Sequence, residues 1–213
     1  MESLSFDLAA TPLREVNQFL HEPDVADKAR RVAILNANGA HAIAAGLNAP
    51  IEVEIDGHAG YYAAGMNQKA SVTITGSAAT GVAENMMSGR VHVKGFAAGA
   101  TAQGGLLVID GDAGLRCAIS LKGADVVVGG SVGSFSAFMA QTGNLVVLGD
   151  AGEALGDSIY EARLFVRGKV KSLGADCEKK PMGDDDRRTL ATLLERAGMA
   201  GRAKPEEFTL YGS

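Results

Sequence analysis

The chain has 213 residues, with 20 Lys and Arg against 25 Asp and Glu, a formal charge of -5 and a pI of about 5.4. Its basic residues are scattered, which excludes the concentrated positive face of a nucleic-acid or anionic-membrane binder. Two cysteines, Cys117 and Cys177, are too few for a disulfide scaffold and lack metal-ligand spacing. No apolar run approaches a membrane span, and the start carries Glu2 and Asp7 instead of an apolar leader, so a cytoplasmic location is expected.

In chain order, Thr11-Pro12 is a helix start, with Thr11 as N-cap and Pro at the first helical position. Leu13, Val16, Phe19 and Leu20 then form an apolar stripe, giving a short helix that stops near Pro23. Residues 24–35 read as a second helix or a strand approach. An Asn36-Ala37-Asn38-Gly39 turn follows, and then an alanine-rich helix over 41–47. Solenoids need polar-faced caps at their ends, and residues 1–50 are expected to be a helical cap on what comes next.

From 51 to 168 the chain repeats one phrase seven times: VEIDG (53–57), VTITG (72–76), VHVKG (91–95), LVIDG (107–111), VVVGG (126–130), LVVLG (145–149) and LFVRG (164–168). Successive terminal glycines lie 19, 19, 16, 19, 19 and 19 residues apart. A fixed period means a stack of one supersecondary unit. Four before each glycine stands Val or Leu, and two before stands Val or Ile, which is the two-residue alternation of a strand. Small residues recur three after the glycine (Gly60, Ala79, Ala98, Gly114, Gly133, Gly152, then Lys171 as the exception) and seven after it (Ala64, Ala83, Ala102, Ala118, Ala137, Gly156, Ala175). Small side chains at fixed places allow sharp corners and close backbone approach.

A coil of about 19 residues is too short for a helix besides its strands, so the expected fold is an all-β solenoid, a parallel β-helix of about seven coils over 51–175. A left-handed hexapeptide solenoid needs an aliphatic residue every six positions; six and twelve before Gly130 stand only Ala124 and Ala118, so the right-handed form is preferred. The short interval between Gly95 and Gly111 is attributed to a tighter turn at Gly104-Gly105.

Between the two inward columns, the outward position is polar in coils one to three (Glu54, Thr73, His92) and apolar in coils four to seven (Val108, Val127, Val146, Phe165). Four stacked apolar residues on an outer wall require a cover. Either the chain's own C-terminal segment or a partner subunit supplies it, and the four residues are the candidate partner interface. Past Gly168 the repeat decays, residues 184–197 read as an amphipathic helix with acids in its first turn, and Phe208, Leu210 and Tyr211 alternate in a tail able to dock as a strand. Residues 176–213 are thus a C-terminal helix and tail.

Candidate chemistry is sparse. Asp112 and Asp150 each follow a repeat glycine, two coils and therefore about 9 to 10 Å apart. That is too far to share a proton and near the upper limit for an inverting glycosidase pair. A turn-forming role is favoured. His21, His41, His58 and His92 fall in different elements and support neither metal ligation nor a triad. Met86-Met87 and the stretch 134–139 suit corner packing better than ligand binding, and Asp150, Glu153, Asp157 and Glu161 read as a solvated face. No phosphate loop occurs. A carbohydrate enzyme working along a β-helix groove is disfavoured by zero tryptophan and four tyrosines.

The spacing Gly149-x-x-Gly152-x-x-x-Gly156, with Gly57/Gly60/Ala64, Gly111/Gly114/Ala118 and Gly130/Gly133/Ala137, resembles the glycine repeat of the C-terminal β-helix domain of glutamate synthase and its free-standing relatives. The lead-in RRVAILNANGAHAIAAGL and the later MMSGRVHVKG resemble the same domain, so the likeness covers about 30–175. The segment 130–177, from GSVGSFSAFMAQTGNLVVLGDAG to SLGADC, is most similar to the β-helix subunits of N-methylglutamate synthases (methylamine-glutamate N-methyltransferases), as is TPLREVN. A second relative is the solenoid subunit shared by formylmethanofuran dehydrogenase and the formyltransferase/hydrolase complex. The first resemblance implies a non-catalytic chain in a three-part assembly with a glutamine-amidotransferase-like subunit and a glutamate-synthase-like subunit that carries FMN and an iron-sulfur cluster. It implies no cofactor on this chain.

Overall fold

The computed structural model describes residues 3–97 and 102–213, so Ala98 of the small-residue column lies outside the described residues. The architecture is a parallel β-solenoid closed at one end by an antiparallel strand pair. Its strands are β1 (Ser3–Asp7), β2 (Arg31–Leu35), β3 (Glu52–Ile55), β4 (Ser71–Ile74), β5 (Arg90–Val93), β6 (Leu106–Ile109), β7 (Lys122–Val128), β8 (Thr142–Val147), β9 (Arg163–Val166), β10 (Glu178–Lys180) and β11 (Thr209–Gly212). Helices are α1 (Leu13–Leu20), α2 (Val25–Lys28) and α3 (Asp184–Arg196), with a 3-10 turn at Pro205–Glu207.

The strands form one sheet in the order β1-β2-β3-β4-β5-β6-β7-β8-β9-β11-β10, parallel from β1 to β9. Register follows the sequence columns: Val53 opposes Val72, Val72 opposes Val91, Val91 opposes Leu107, and the series runs on through Val126 and Leu145 to Leu164. These side chains are buried, because alternation turns every second residue of each strand into the coil. A second wall is a column of single parallel bridges through Ala59, Ala78, Ala97, Ala113, Val132, Ala151 and Val170. Here the residues are mostly alanine, so this wall contributes small side chains to the core.

The third wall is a corner in which the chain alternates between right- and left-handed backbone. Tyr62, Ala64 and Met66 in one coil, Arg116, Ala118 and Ser120 in another, and Phe135, Ala137 and Met139 in the next all have φ between 50° and 59°. Ala64, Ala83, Ala118 and Ala137 point inward and are fully buried. A β-branched side chain is disfavoured at positive φ, and a large one has no room, which accounts for the alanine column. Corner N–H groups are satisfied between coils: Phe135 donates to the Glu153 carbonyl and Ala137 donates back to Cys117.

The segment 41–47 is not helical, contrary to the expectation from its alanine content. Ala42 and Ala44 have φ of 54° and 53°, and the Ala42 and Gly46 N–H groups donate to Tyr61 and Gly65 of the next coil. Stacking on that coil overrides intrinsic helix propensity. With β2 paired to β3, the stretch 31–47 is itself a coil, and the solenoid starts a turn earlier than the repeat of glycines announces. Ahead of it, β1 adds one more parallel strand, and α1 covers the end through Val16 and Leu20, with Phe6 and Phe19 rings 5.1 Å apart. Pro12, not Thr11, is the N-cap of α1, and no side chain caps it.

The shortened coil also differs in detail. Ala97 pairs with Ala78 and Ala102 with Met86, so five residues do there what eight do one coil earlier. Ala102 therefore leaves the column of Ala83 and Ala118, and the coil is already short by Ala102, ahead of Gly104-Gly105. At the far end the seventh coil is one residue short, with Leu155 opposite Leu173, which takes Ala175 out of the column too. There β11 pairs antiparallel with both β9 and β10 and ends the parallel stack, so β9 offers no free edge for further pairing.

Candidate functional site

The residues with chemical capacity mostly lie on the outside of the coils, in columns. The repeat glycines form the first. Each N–H donates to the carbonyl of the glycine one coil back, from Gly76 to Gly57 at 3.0 Å through Gly130 to Gly111 at 3.0 Å and on to Gly168 with Gly149 at 3.0 Å. A Cβ at Gly130 would stand 2.8 Å from the Gly111 carbonyl carbon, closer than real Cβ contacts. The requirement for glycine in this column is steric.

The next residue in each coil forms a side-chain ladder. His58 Nδ1 accepts the Ser77 N–H at 2.9 Å, and Ser77 Oγ accepts that of Phe96 at 3.1 Å. After the shortened coil, Asp112 Oδ1 accepts the Ser131 N–H at 2.7 Å, Ser131 Oγ that of Asp150 at 3.0 Å, and Asp150 Oδ1 that of Lys169 at 2.7 Å. Each side chain satisfies a backbone donor of the following coil. Asp112 and Asp150 are thus stacking residues, and Ser131 stands between them. The signal is present in the sequence: five of the seven positions after the glycine are His, Ser or Asp.

The histidines stay apart. His41 Nδ1 accepts the Tyr61 N–H at 2.9 Å, its ring 4.9 Å from the Tyr61 ring, while His21 contacts the Asn17 carbonyl and His92 Nε2 lies 2.9 Å from Asp110 Oδ1. Accepting at Nδ1 leaves the proton of neutral His41 and His58 on Nε2. Among the described residues, no group of three or more His, Cys, Asp or Glu has a metal-holding arrangement. Burial pushes the Cys117 thiol up to about 12 and the Cys177 thiol up to about 11, which keeps both protonated and poor as nucleophiles.

The apolar stripe is where the sequence leaves two covers open, and the structure chooses one. Val108, Val127, Val146 and Phe165 are all 0% exposed. They form one cluster with Leu190, Leu193 and Leu194 of α3, and with Met199, Phe208 and Leu210 of the tail. The four residues therefore do not form an exposed partner interface; the chain's own C-terminal segment covers them. Polar contacts pin the cover at both ends. Arg163 of β9 donates to Asp186 at 3.3 Å, Arg196 to Asp125 of β7 at 3.0 Å, and Arg90 of β5 to the Arg196 carbonyl. α3 thus runs from β9 toward β5 and stops.

Beyond that stop, the same sheet face is bare and its outward residues are sorted by chemistry. β3 and the residue after it present Glu52, Glu54 and Asp56, all exposed; β4 and the residue after it present part-exposed Ser71, Thr73 and Thr75; β5 and the residue after it present part-exposed Arg90 and His92 and exposed Lys94. A shallow recess of about 290 Å³ lies over Ser3, Arg31, Glu52, Glu54, Ser71 and Thr73. Arg31 pairs with Glu52 at 2.7 Å and also feels the charge of Glu54, whereas the Lys94 side chain makes no hydrogen bond or ion pair with any described residue.

The corner wall carries exposed apolar groups instead: Tyr61, Tyr62 and Met66 on one coil, and Leu115, Phe135 and Met139 farther along. Of the stretches considered for binding, Met86 is buried while Met87, Phe135 and Met139 are exposed, and Phe138 meets Phe135 edge-on at 6.4 Å. Asp150 belongs to the ladder, and Glu153 pairs with Lys171 at 2.8 Å. Among the described residues, no helix is long and apolar enough to cross a membrane.

No family model matches the chain. Protein GlxC of Rhizobium meliloti (strain 1021) is 56% identical over 245 aligned positions, which cover 97% of this chain and 92% of that relative. At that identity and coverage the two share one fold and one line of descent, and the chain belongs to the GlxC family.

Proposed function

We propose that the chain is the structural β-helix subunit of an N-methylglutamate synthase (methylamine-glutamate N-methyltransferase) complex, in which methylamine and glutamate give N-methylglutamate and ammonia. In this reading it holds a glutamine-amidotransferase-like subunit and a glutamate-synthase-like subunit in fixed relative positions. The observation that carries it is the side-chain ladder: Asp112, Ser131, Asp150 and His58 bind successive coils together. A stack so tied at all but its shortened coil is rigid, which is what a spacer between two active sites requires. The 56% identity to Protein GlxC and the likeness of the glycine repeat to the glutamate synthase β-helix support the choice of complex. Exposed Tyr, Phe and Met on the corner wall are residue types that interfaces concentrate.

FMN and the iron-sulfur cluster belong to the synthase-like partner in this proposal. The chain's two thiols are buried, protonated and in different coils, a donor set unsuited to a cluster. The test is a mild pull-down of the tagged chain from its own cell extract, with an absorbance spectrum of the eluate and an assay for methylamine-dependent N-methylglutamate. Two partners with flavin and iron-sulfur absorbance, and that activity, are the expected result. Formyltransferase-like or metallohydrolase-like partners without flavin would move the chain to a formylmethanofuran-type complex, and a lone active chain would contradict the scaffold reading.

A further inference from the structure

Two outer columns tie coils together through a side-chain acceptor, and both change their chemistry along the stack. In the column just after the repeat glycines, His58 Nδ1 accepts the Ser77 N–H at 2.9 Å, and in later coils Asp112, Ser131 and Asp150 take that task. Three residues farther on, His41 Nδ1 accepts the Tyr61 N–H at 2.9 Å, and Ser134 Oγ does the same for Glu153 at 3.2 Å. The first coils thus use imidazole where later coils use hydroxyl or carboxylate.

These acceptors respond differently to a proton. A neutral imidazole has one acceptor nitrogen, whereas an imidazolium has two donors and none. It changes charge between about pH 5 and 8, a range in which hydroxyls and carboxylates go on accepting. His41 and His58 are both exposed, and among the described residues the Tyr61 and Ser77 N–H groups have no second acceptor.

The other two histidines behave otherwise. His21 Nδ1 donates to the Asn17 carbonyl and remains a donor in both charge states, while protonation of His92 strengthens its contact with Asp110. Among the described residues, no carboxylate pairs with His41 or His58. His58 lies between Gly39 of the coil before and Gly76 and Ser77 of the coil after, none of them titratable, and Asp56, two residues earlier, accepts from Thr75. His41 faces Gly60 and the Tyr61 ring.

We infer that the N-terminal coils carry an acid-sensitive latch: protonation of His41 and His58 releases the side-chain ties to Tyr61 and Ser77, while the coils from Asp112 onward stay tied. The open form binds more protons than the closed form, so the stabilisation is present above the imidazole range and is lost as pH falls through it. The backbone ladder between β2, β3 and β4 remains, which makes the change a loosening of one corner and not an unfolding. The inference holds whatever assembly the chain joins.

Amide exchange of the full chain, resolved by residue with NMR between about pH 8 and pH 5, tests it. Protection of Tyr61 and Ser77, corrected for intrinsic exchange, is expected to fall about fivefold each, the weight of one lost hydrogen bond, with Ser131, Asp150 and Glu153 unchanged. His58→Asp supplies the acceptor that later coils use, and should keep Ser77 protected in acid while Tyr61 still loses protection; His41→Ser should do the reverse. Imidazole nitrogen spectra of the unchanged chain at neutral pH should show both rings protonated on Nε2. Constant protection of Tyr61 and Ser77 across the range would overturn the latch. So would an equal loss at Ser131 and Asp150, a loss at Ser77 that persists in His58→Asp, or rings protonated on Nδ1.

Discussion

Strands β2 to β5 and β6 to β9 obey one inward rule and two outward ones. Inside, Val72 and Val126 are interchangeable links in one column, both fully buried. Outside, Thr73 is part-exposed and Val127 is buried under α3. The difference separates what the coil needs in order to form from what the surface is used for. Inward positions are dictated by stacking and vary little, whereas outward positions record their neighbour.

The sharpest way to break the comparison is to put the same charge on both halves. Val127→Glu or Val146→Glu places an unpaired carboxylate among Leu190, Leu193 and Phe165 and is expected to destabilise the isolated chain by about 4 kcal/mol or more. Thr73→Glu, on the bare half, should stay within about 0.5 kcal/mol. Urea midpoints of the isolated variants give both values. Phe165→Ala should cost about 3 to 5 kcal/mol by the same measurement, since Phe165 is the largest fully buried side chain of the stripe.

Next in size is the feature both halves share. Gly130→Ala pushes a methyl against the Gly111 backbone and is expected to cost about 1 to 3 kcal/mol, read as a lower thermal midpoint. Asp112→Ala removes the acceptor for the Ser131 N–H, for about 1 kcal/mol, while Asp112→Asn keeps an oxygen there and costs less. Under the proposed function, neither Asp112→Asn nor Asp150→Asn should change turnover of the complex, because both aspartates act in the ladder.

The smallest effect is electrostatic. Its hydrogen bond to Lys171 holds the Glu153 carboxyl below the usual carboxylate range, and the Asn36 side chain and then the Ala9 N–H do the same for Asp7. A depressed folded value means that the stabilisation is present above the ordinary carboxylate range and is lost as pH falls through the folded value. The urea midpoint of Glu153→Gln should therefore lie slightly below that of the unchanged chain at neutral pH and converge with it in acid.

Much of this was legible from residues alone. Alternating aliphatic columns and the 19-residue period specify parallel coils, and the sudden change from Thr73 and His92 to Val108 and Val127 announces a cover. What the columns do not encode is which element supplies the cover. That depends on where α3 reaches, which is set by distant contacts such as Arg163 with Asp186 and Arg196 with Asp125. The alanine-rich stretch 41–47 reads as helix because composition reports local propensity, and the left-handed residues Ala42 and Ala44 are held by hydrogen bonds to distant partners, the Tyr61 carbonyl of the next coil and the Asn17 side chain of α1. The ladder through Asp112, Ser131 and Asp150 is visible as a polar column but reads as turn chemistry, since its bonds run between coils and not within a turn. The charge rows of β3 and β5 become a surface only once register sets Glu54, Thr73 and His92 side by side.

Amide hydrogen exchange of α3 in the isolated chain, resolved by peptide and compared with β6 to β9, tests most directly whether the chain covers its own stripe. Protection of α3 close to that of the strands beneath it is the predicted result, because Leu190, Leu193 and Leu194 are part of their cluster. Exchange of α3 within seconds while the strands stay protected would contradict the account and return Val108, Val127, Val146 and Phe165 to the surface that a partner must cover.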